Sequence, residues 1–210
     1  IVNQGTLGVI GSGSGTNPGQ LGAGDITVGN GIDPARLELR WGSSWNFNCF
    51  GNDAVITVKN NGVFDLETYC ASAGSRSDSI KSMVVEAGGE LKLGKYTLGT
   101  GGLTTTNVFM TGGTINGVGG GKVTPTSGYV VVDSSATEMA TISAAIRVAY
   151  KYSGGALYTR FSTADAPSIP VELKLTGLIS NVWDDRDGFD KIGAGVMKIT
   201  CANTYGGRST

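Results

Sequence analysis

Short apolar strand phrases, each closed by a Gly, Asn, Asp or Ser turn, return along this chain every 20 to 30 residues, and helical periodicity is almost absent. ITVGNG followed by ARLELR (Ile26–Arg40) sets the pattern, and ITVKNNG followed by VFDLE (Ile56–Glu67) repeats it. MVVEAGG with ELKLG (Met83–Gly94) and VFMTGG with TINGV (Val108–Val118) continue it. Looser copies are VVVDSS with ATEMATI (Val130–Ile142), VELKL (Val171–Leu175) and VMKIT (Val196–Thr200). The stretch Ala136–Tyr150 has no heptad order and is rich in Thr, Ile and Val, so it reads as strand rather than helix. One inward residue per copy gives Leu39, Leu66, Leu93, Ile115, Ile142, Leu175 and Ile199, separated by 22 to 33 residues. A sandwich or barrel shows strands every ~8–12 residues without a longer rhythm. The longer rhythm predicts an all-β chain forming a single right-handed parallel β-helix, a β-solenoid of about eight coils, in which equivalent residues stack ~4.8 Å apart.

Composition agrees with that geometry and removes several kinds of chemistry. Gly accounts for 35 of 210 residues, which suits corners that need positive φ or close backbone approach. Five Pro and no three-residue Gly period exclude collagen. The formal net charge of −1 offers no basic field for nucleic acid. No apolar run is long enough for a membrane helix, so insertion of this segment is not expected. With no His, triads and metal sites that depend on imidazole are excluded.

The stretch Lys191–Thr210, KIGAGVMKITCANTYGGRST, resembles the repeat of autotransporter passenger β-helices through Lys191, Gly193, Gly195, Met197, Ile199, Asn203, Tyr205, Gly206 and Gly207. Cys201 and Ala202 depart from that pattern but are similar in size to the residues usual there. The segment Ile1–Ile10, IVNQGTLGVI, resembles the continuation of the same repeat, and Gln20–Val28, QLGAGDITV, resembles its next phrase. Writing Thr210 before Ile1 restores one uninterrupted repeat, with Ile10 as the next inward residue. The expectation is therefore that residues 1–210 are one β-solenoid unit of a longer head-to-tail array. The junction would be formed by Asn203, Tyr205, Gly206, Gly207 and Thr210 with Ile1, Val2, Gly5 and Leu7. A solenoid end must otherwise be covered, because its strand edge leaves backbone groups unpaired.

Candidate chemistry is sparse. Asp184, Asp185, Asp187 and Asp190 in WDDRDGFD are close enough to offer oxygen ligands to Ca²⁺, although the distal Glu of an EF-hand loop is missing. A solvated loop neutralised by Arg186 is the plainer reading, and no other cofactor is expected. Cys49 and Cys70 stand 21 residues apart, near one coil, and are a candidate disulfide; Cys201 reads as a small ladder residue. Glu38, Glu90 and Glu172 alternate with Leu and are expected to face outwards as solubilising groups. The aromatics Trp41, Trp45, Phe47 and Phe50 are expected to fold onto the coil.

The resemblance implies export to the extracellular side or cell surface of a Gram-negative-type bacterium and an adhesive or scaffold role, with no catalytic residue carried over. The expected function is a structural or adhesive fibre of repeating solenoid units. Its expected partners are further copies of itself, with cell-surface glycans or matrix beyond them. The alternative is a stalk segment of an autotransporter adhesin whose binding head lies elsewhere. A polysaccharide-active enzyme is the third reading and is not favoured, because the acids outside Asp184–Asp190 are scattered along the chain.

Overall fold

A computed structural model describes residues 1–11, 24–41, 50–66, 77–94, 102–117, 120–125, 128–148, 150–151, 157–181 and 188–206. Among them no helix forms, and parallel strands stack as a β-solenoid. Each rung contributes a strand to one narrow sheet of eight. The strands of that sheet are β1 (Gly5–Gly11), β3 (Ala35–Trp41), β5 (Gly62–Asp65), β7 (Glu90–Lys92), β9 (Thr114–Asn116), β12 (Ala140–Ile142), β16 (Leu173–Leu175) and β19 (Met197–Ile199), stacked in chain order.

A wide second sheet faces it. There Val2 bridges to β2 (Ile26–Val28), which is followed by β4 (Val55–Val58), β6 (Ser77–Val85) and β8 (Gly102–Met110). Beyond β8 the wide sheet divides. Leu103–Thr105 of β8 pairs with β10 (Lys122–Pro125), then β13 (Ala145–Val148) and β17 (Ile179–Asn181). Val108–Met110 pairs with β11 (Tyr129–Val132), then β15 (Leu157–Thr163) and β18 (Phe189–Ile192). A short antiparallel strand, β14 (Tyr150–Lys151), flanks β15. The coil count thus differs from eight uniform coils: five levels share a two-sheet cross-section, and the later ones carry a third strand. The segment from Ala136 is strand, as expected, in β12 and β13 with Ser143–Ala144 turning between them.

The core lies between the sheets. On the narrow sheet the alternation of side chains gives three inward columns, which we name leading, central and trailing by their order on each strand. The central column runs Leu7, Leu37, Phe64, Leu91, Ile115, Ile142, Leu175 and Ile199. Its six inner members are at most 2 % exposed. The leading column is Gly5, Ala35, Gly62, Gly89, Gly113, Ala140, Leu173 and Met197. The trailing column is Val9, Leu39, Leu66, Leu93, Gly117, Ala144, Gly177 and Cys201. Two sequence pairings are corrected here. Ile115 stacks on Leu91 rather than Leu93, and Val9 rather than Ile10 lies opposite Leu39.

Candidate functional site: the two end faces

The end rungs are the places where, among the described residues, this fold leaves inward apolar positions of the narrow-sheet ladder in solvent. Leu7, on β1, is 48 % exposed although its column is buried at every inner rung, and Ile1 is almost fully exposed. At the other end Met197, Ile199, Cys201 and Tyr205 are only partly buried against the core, and Val196 is half exposed. Of the nine large exposed hydrophobics among the described residues, Ile1, Leu7 and Ile32 belong to the first two rungs, while Leu178, Ile192 and Val196 belong to the last turn. Both end strands also present one unpaired ladder edge among the described residues, the arrangement that accepts a further strand.

The C-terminal face is built by the motif that carries the family resemblance, and the structure shows why its residues are needed. Gly193 has φ +84°, and a Cβ there would run into the Thr163 carbonyl; a Cβ on Gly195 would meet that of Ala164. Thr163 Oγ1 donates to the Gly195 carbonyl at 2.9 Å. Lys191 Nζ donates to the carbonyls of Ile192 and Gly193 at 3.1 and 2.8 Å. Beneath them Glu172, 1 % exposed, accepts the backbone N–H groups of Ala166 (3.1 Å) and Val196 (2.5 Å). Its desolvation on burial would raise the carboxyl pKa, but these backbone bonds, aided by the Lys191 charge, outweigh it and hold the group below its ordinary 4.5. Asn203 bridges to Ile179, the Gly206 N–H donates to Asn181 Oδ1 at 3.2 Å, and Tyr205 packs edge-on against Phe189 with centroids 5.3 Å apart.

Glu172 and Glu38 therefore do not solubilise the surface as expected. Glu38, 7 % exposed, and Asp65, 2 % exposed, occupy neighbouring rungs, and Arg36 pairs with both. Covering strips their hydration, so the ion pairs and the Glu172 backbone bonds are what make burial tolerable. Glu90 is half-buried and pairs with Lys92 at 3.6 Å. Alongside this cluster a shallow cleft of about 290 Å³ is lined by Thr6, Pro34, Arg36, Asn61 and Val63.

Of the junction residues expected from sequence, Asn203, Tyr205 and Gly206 lie on the C-terminal face and Ile1, Val2, Gly5 and Leu7 on the N-terminal one. Gly207 and Thr210 lie outside the described residues, as do Cys49, Cys70, Asp184, Asp185 and Asp187. Asp190 sits on β18, where Arg160 Nε approaches its carboxylate at 3.6 Å and also stands over the Tyr129 ring. Among the described residues no group of three metal-ligating side chains forms. Cys201 is a free thiol, half-buried, and burial pushes its pKa up. Phe50 folds onto the coil, 2 % exposed and edge-on to Phe64 at 5.8 Å.

No family model, no curated protein and no solved structure matches this chain.

Proposed function

We propose that this protein is a structural unit of an extracellular fibre or surface scaffold, built by stacking the end faces of successive solenoids head to tail. The observation that carries the reading is the central column: it is sealed at six consecutive rungs and emerges into water at Leu7 and Ile199. A second solenoid placed on either edge would bury those side chains and complete both ladders, doing what capping repeats do at the ends of other solenoids. The resemblance to autotransporter passenger repeats supports a place at the surface of a Gram-negative-type bacterium, with glycans or matrix as further partners.

The test is electron microscopy with fibre diffraction on the purified chain. Stacking predicts thin fibres with a meridional ~4.8 Å reflection and an axial unit of about 38 Å, eight strand spacings. A chain that stays monomeric at high concentration, with Leu7 and Ile199 still open to solvent, overturns this reading and favours a stalk segment whose ends are covered within one longer polypeptide.

A further inference from the structure

The geometry points to one register for the joint between copies: Met197 over Gly5, Ile199 over Leu7 and Cys201 over Val9 of a second copy of this chain. The inference rests on the stacking proposed above and specifies its contacts.

The first support comes from the spans between columns. In this register the narrow-sheet strand β19 lies beside the next copy's β1, and Asn203 must be linked to the level of Val2 by an arc on the wide side. Ile199 to Asn203 is four residues, the same as Ile142 to Ile146 and Leu175 to Ile179. Val2 to Gly5 is three residues, the same as Met110 to Gly113. Between Asn203 and the next Val2 stand residues 204–210 and one Ile1, eight in all. Eight residues, 124–131, likewise separate Val123 of β10 from Val132 of β11. The spans Ile199–Asn203 and Val2–Gly5 thus have the lengths that inner rungs use, and the eight-residue arc does so where Thr210 is bonded to the next Ile1.

Side-chain size is the second support. The last rung carries large, large and small residues in its leading, central and trailing columns (Met197, Ile199, Cys201), and the first carries small, large and large (Gly5, Leu7, Val9). Stacked in this register, the Met197 side chain lies over the open position at Gly5, and Val9 fills the space beside Cys201. A Cβ built on Gly5 meets no heavy atom within 4 Å among the described residues, so none of them occupies that space. Outward charges do not clash: Lys198 falls opposite Thr6 and Thr200 opposite Gly8. Sliding by one side-chain pair in one direction puts Cys201 opposite Gly11 and breaks the size match; in the other it puts Cys201 opposite Leu7 and Ile199 opposite Gly5, but sets Met197 against the polar Asn3.

Cys201 provides the readout. Residues directly opposed on neighbouring parallel strands lie within reach of a disulfide. Val9→Cys and, separately, Leu7→Cys proteins are assembled from a mixture of isotopically labelled and unlabelled chains. They are oxidised with diamide under mildly alkaline conditions, because the Cys201 thiol is shifted up. Each disulfide formed gives up two protons and two electrons to diamide, which becomes its hydrazine. The expected result is a mixed-label linkage between position 9 and Cys201, with about tenfold less from position 7. Equal or greater linkage from position 7, or linkage of position 9 to position 9, in fibres that still form overturns the register and leaves the stacking reading intact. A wild-type chain that forms no assembly by light scattering overturns both.

Discussion

The two halves of the solenoid bury similar material but close their corners on opposite sides. From rung three to rung five the passage from wide to narrow sheet is tight: Val58 reaches Gly62, Val85 reaches Gly89 and Met110 reaches Gly113 within four residues or fewer, where Val28 takes seven to reach Ala35. Backbone from that corner crowds the leading column. A Cβ on Gly89 would lie 2.7 Å from the Val58 carbonyl oxygen, and one on Gly113 2.7 Å from that of Gly89. The bulk of the core therefore shifts to the trailing column, with Leu39, Leu66 and Leu93. In the later rungs the tight corner is the return from narrow to wide sheet, at Ser143–Ala144 and Thr176–Leu178. There the trailing column shrinks to Gly117, Ala144 and Gly177, and the leading column takes Leu173 and Met197. Rungs five and six, small on both flanks, are the crossover, and the same level is where β8 hands its pairing to two separate strands. What the comparison teaches is that in the inner rungs the small residues mark the tight corner; the last rung departs from it, since Met197 is large although Gly193 stands only four residues before it.

The strongest way to break this symmetry is to place a side chain at either crowded corner. Gly113→Val, at φ +71°, and Gly177→Val, whose Cβ would overlap the Ala144 carbonyl, should each cost more than about 4 kcal/mol or prevent folding. Chemical denaturation measures it, and a loss below about 1 kcal/mol at either site would refute the crowding. Truncation sharpens the same point from the opposite side. Leu39→Ala and Leu173→Ala, 1 % and 0 % exposed on opposite flanks, should each cost about 3 kcal/mol. Ala35→Gly and Ala144→Gly, in the reverse columns, should cost about 1 kcal/mol or less. Similar losses at all four positions would mean that the halves do not differ.

The central column was legible in the sequence from Ile115 to Ile199, but in the earlier rungs Leu39, Leu66 and Leu93, which form the trailing column, take its place in the sequence pattern. The exchange of flanks was not legible. A Gly after a strand looks the same whether it closes the entering or the leaving corner, so Leu93 and Ile115 were matched across a Gly when Leu91 is the true neighbour. The end motif was legible as a pattern, through Lys191, Gly193, Gly195 and Asn203. Its dependence on the buried Glu172 was hidden, because Glu beside Leu in VELKL is the ordinary signature of an outward-facing position. The Glu38–Arg36–Asp65 cluster was hidden for the same reason, since strand alternation marks Glu38 and Asp65 as outward although both are buried.

Glu172 ties the C-terminal corner alone, and acid tests it. Its carboxyl is held below 4.5 in the fold, so its contribution is complete above that value and is lost as pH falls through the folded pKa. Glu172→Gln should cost about 1–2 kcal/mol at neutral pH and flatten the decline in stability below pH 4.5. An acid limb unchanged by the substitution would show that the Ala166 and Val196 contacts do not govern that corner.

Glu138 gives the smallest and most local prediction, because it is exposed yet joins the two halves. It stands between β11 and β12, on the long entering corner of the later rungs, and reaches back to the tight corners of the earlier ones. Its Oε1 accepts the N–H groups of Gly88 and Gly113, both at 2.7 Å, at φ +72° and +71°. Glu138→Ala returns the exposed Gly88 donor to water and opens a path for water to the part-buried Gly113 one, so the expected loss is only about 1 kcal/mol. The sharper readout is amide hydrogen exchange. The Gly88 and Gly113 amides should exchange faster in the variant, while those of Gly177 and Val196, held by Ile142 and by Glu172, should not change. Acceleration spread evenly over all four would mean that Glu138 supports the solenoid as a whole rather than the entering corners of its first half.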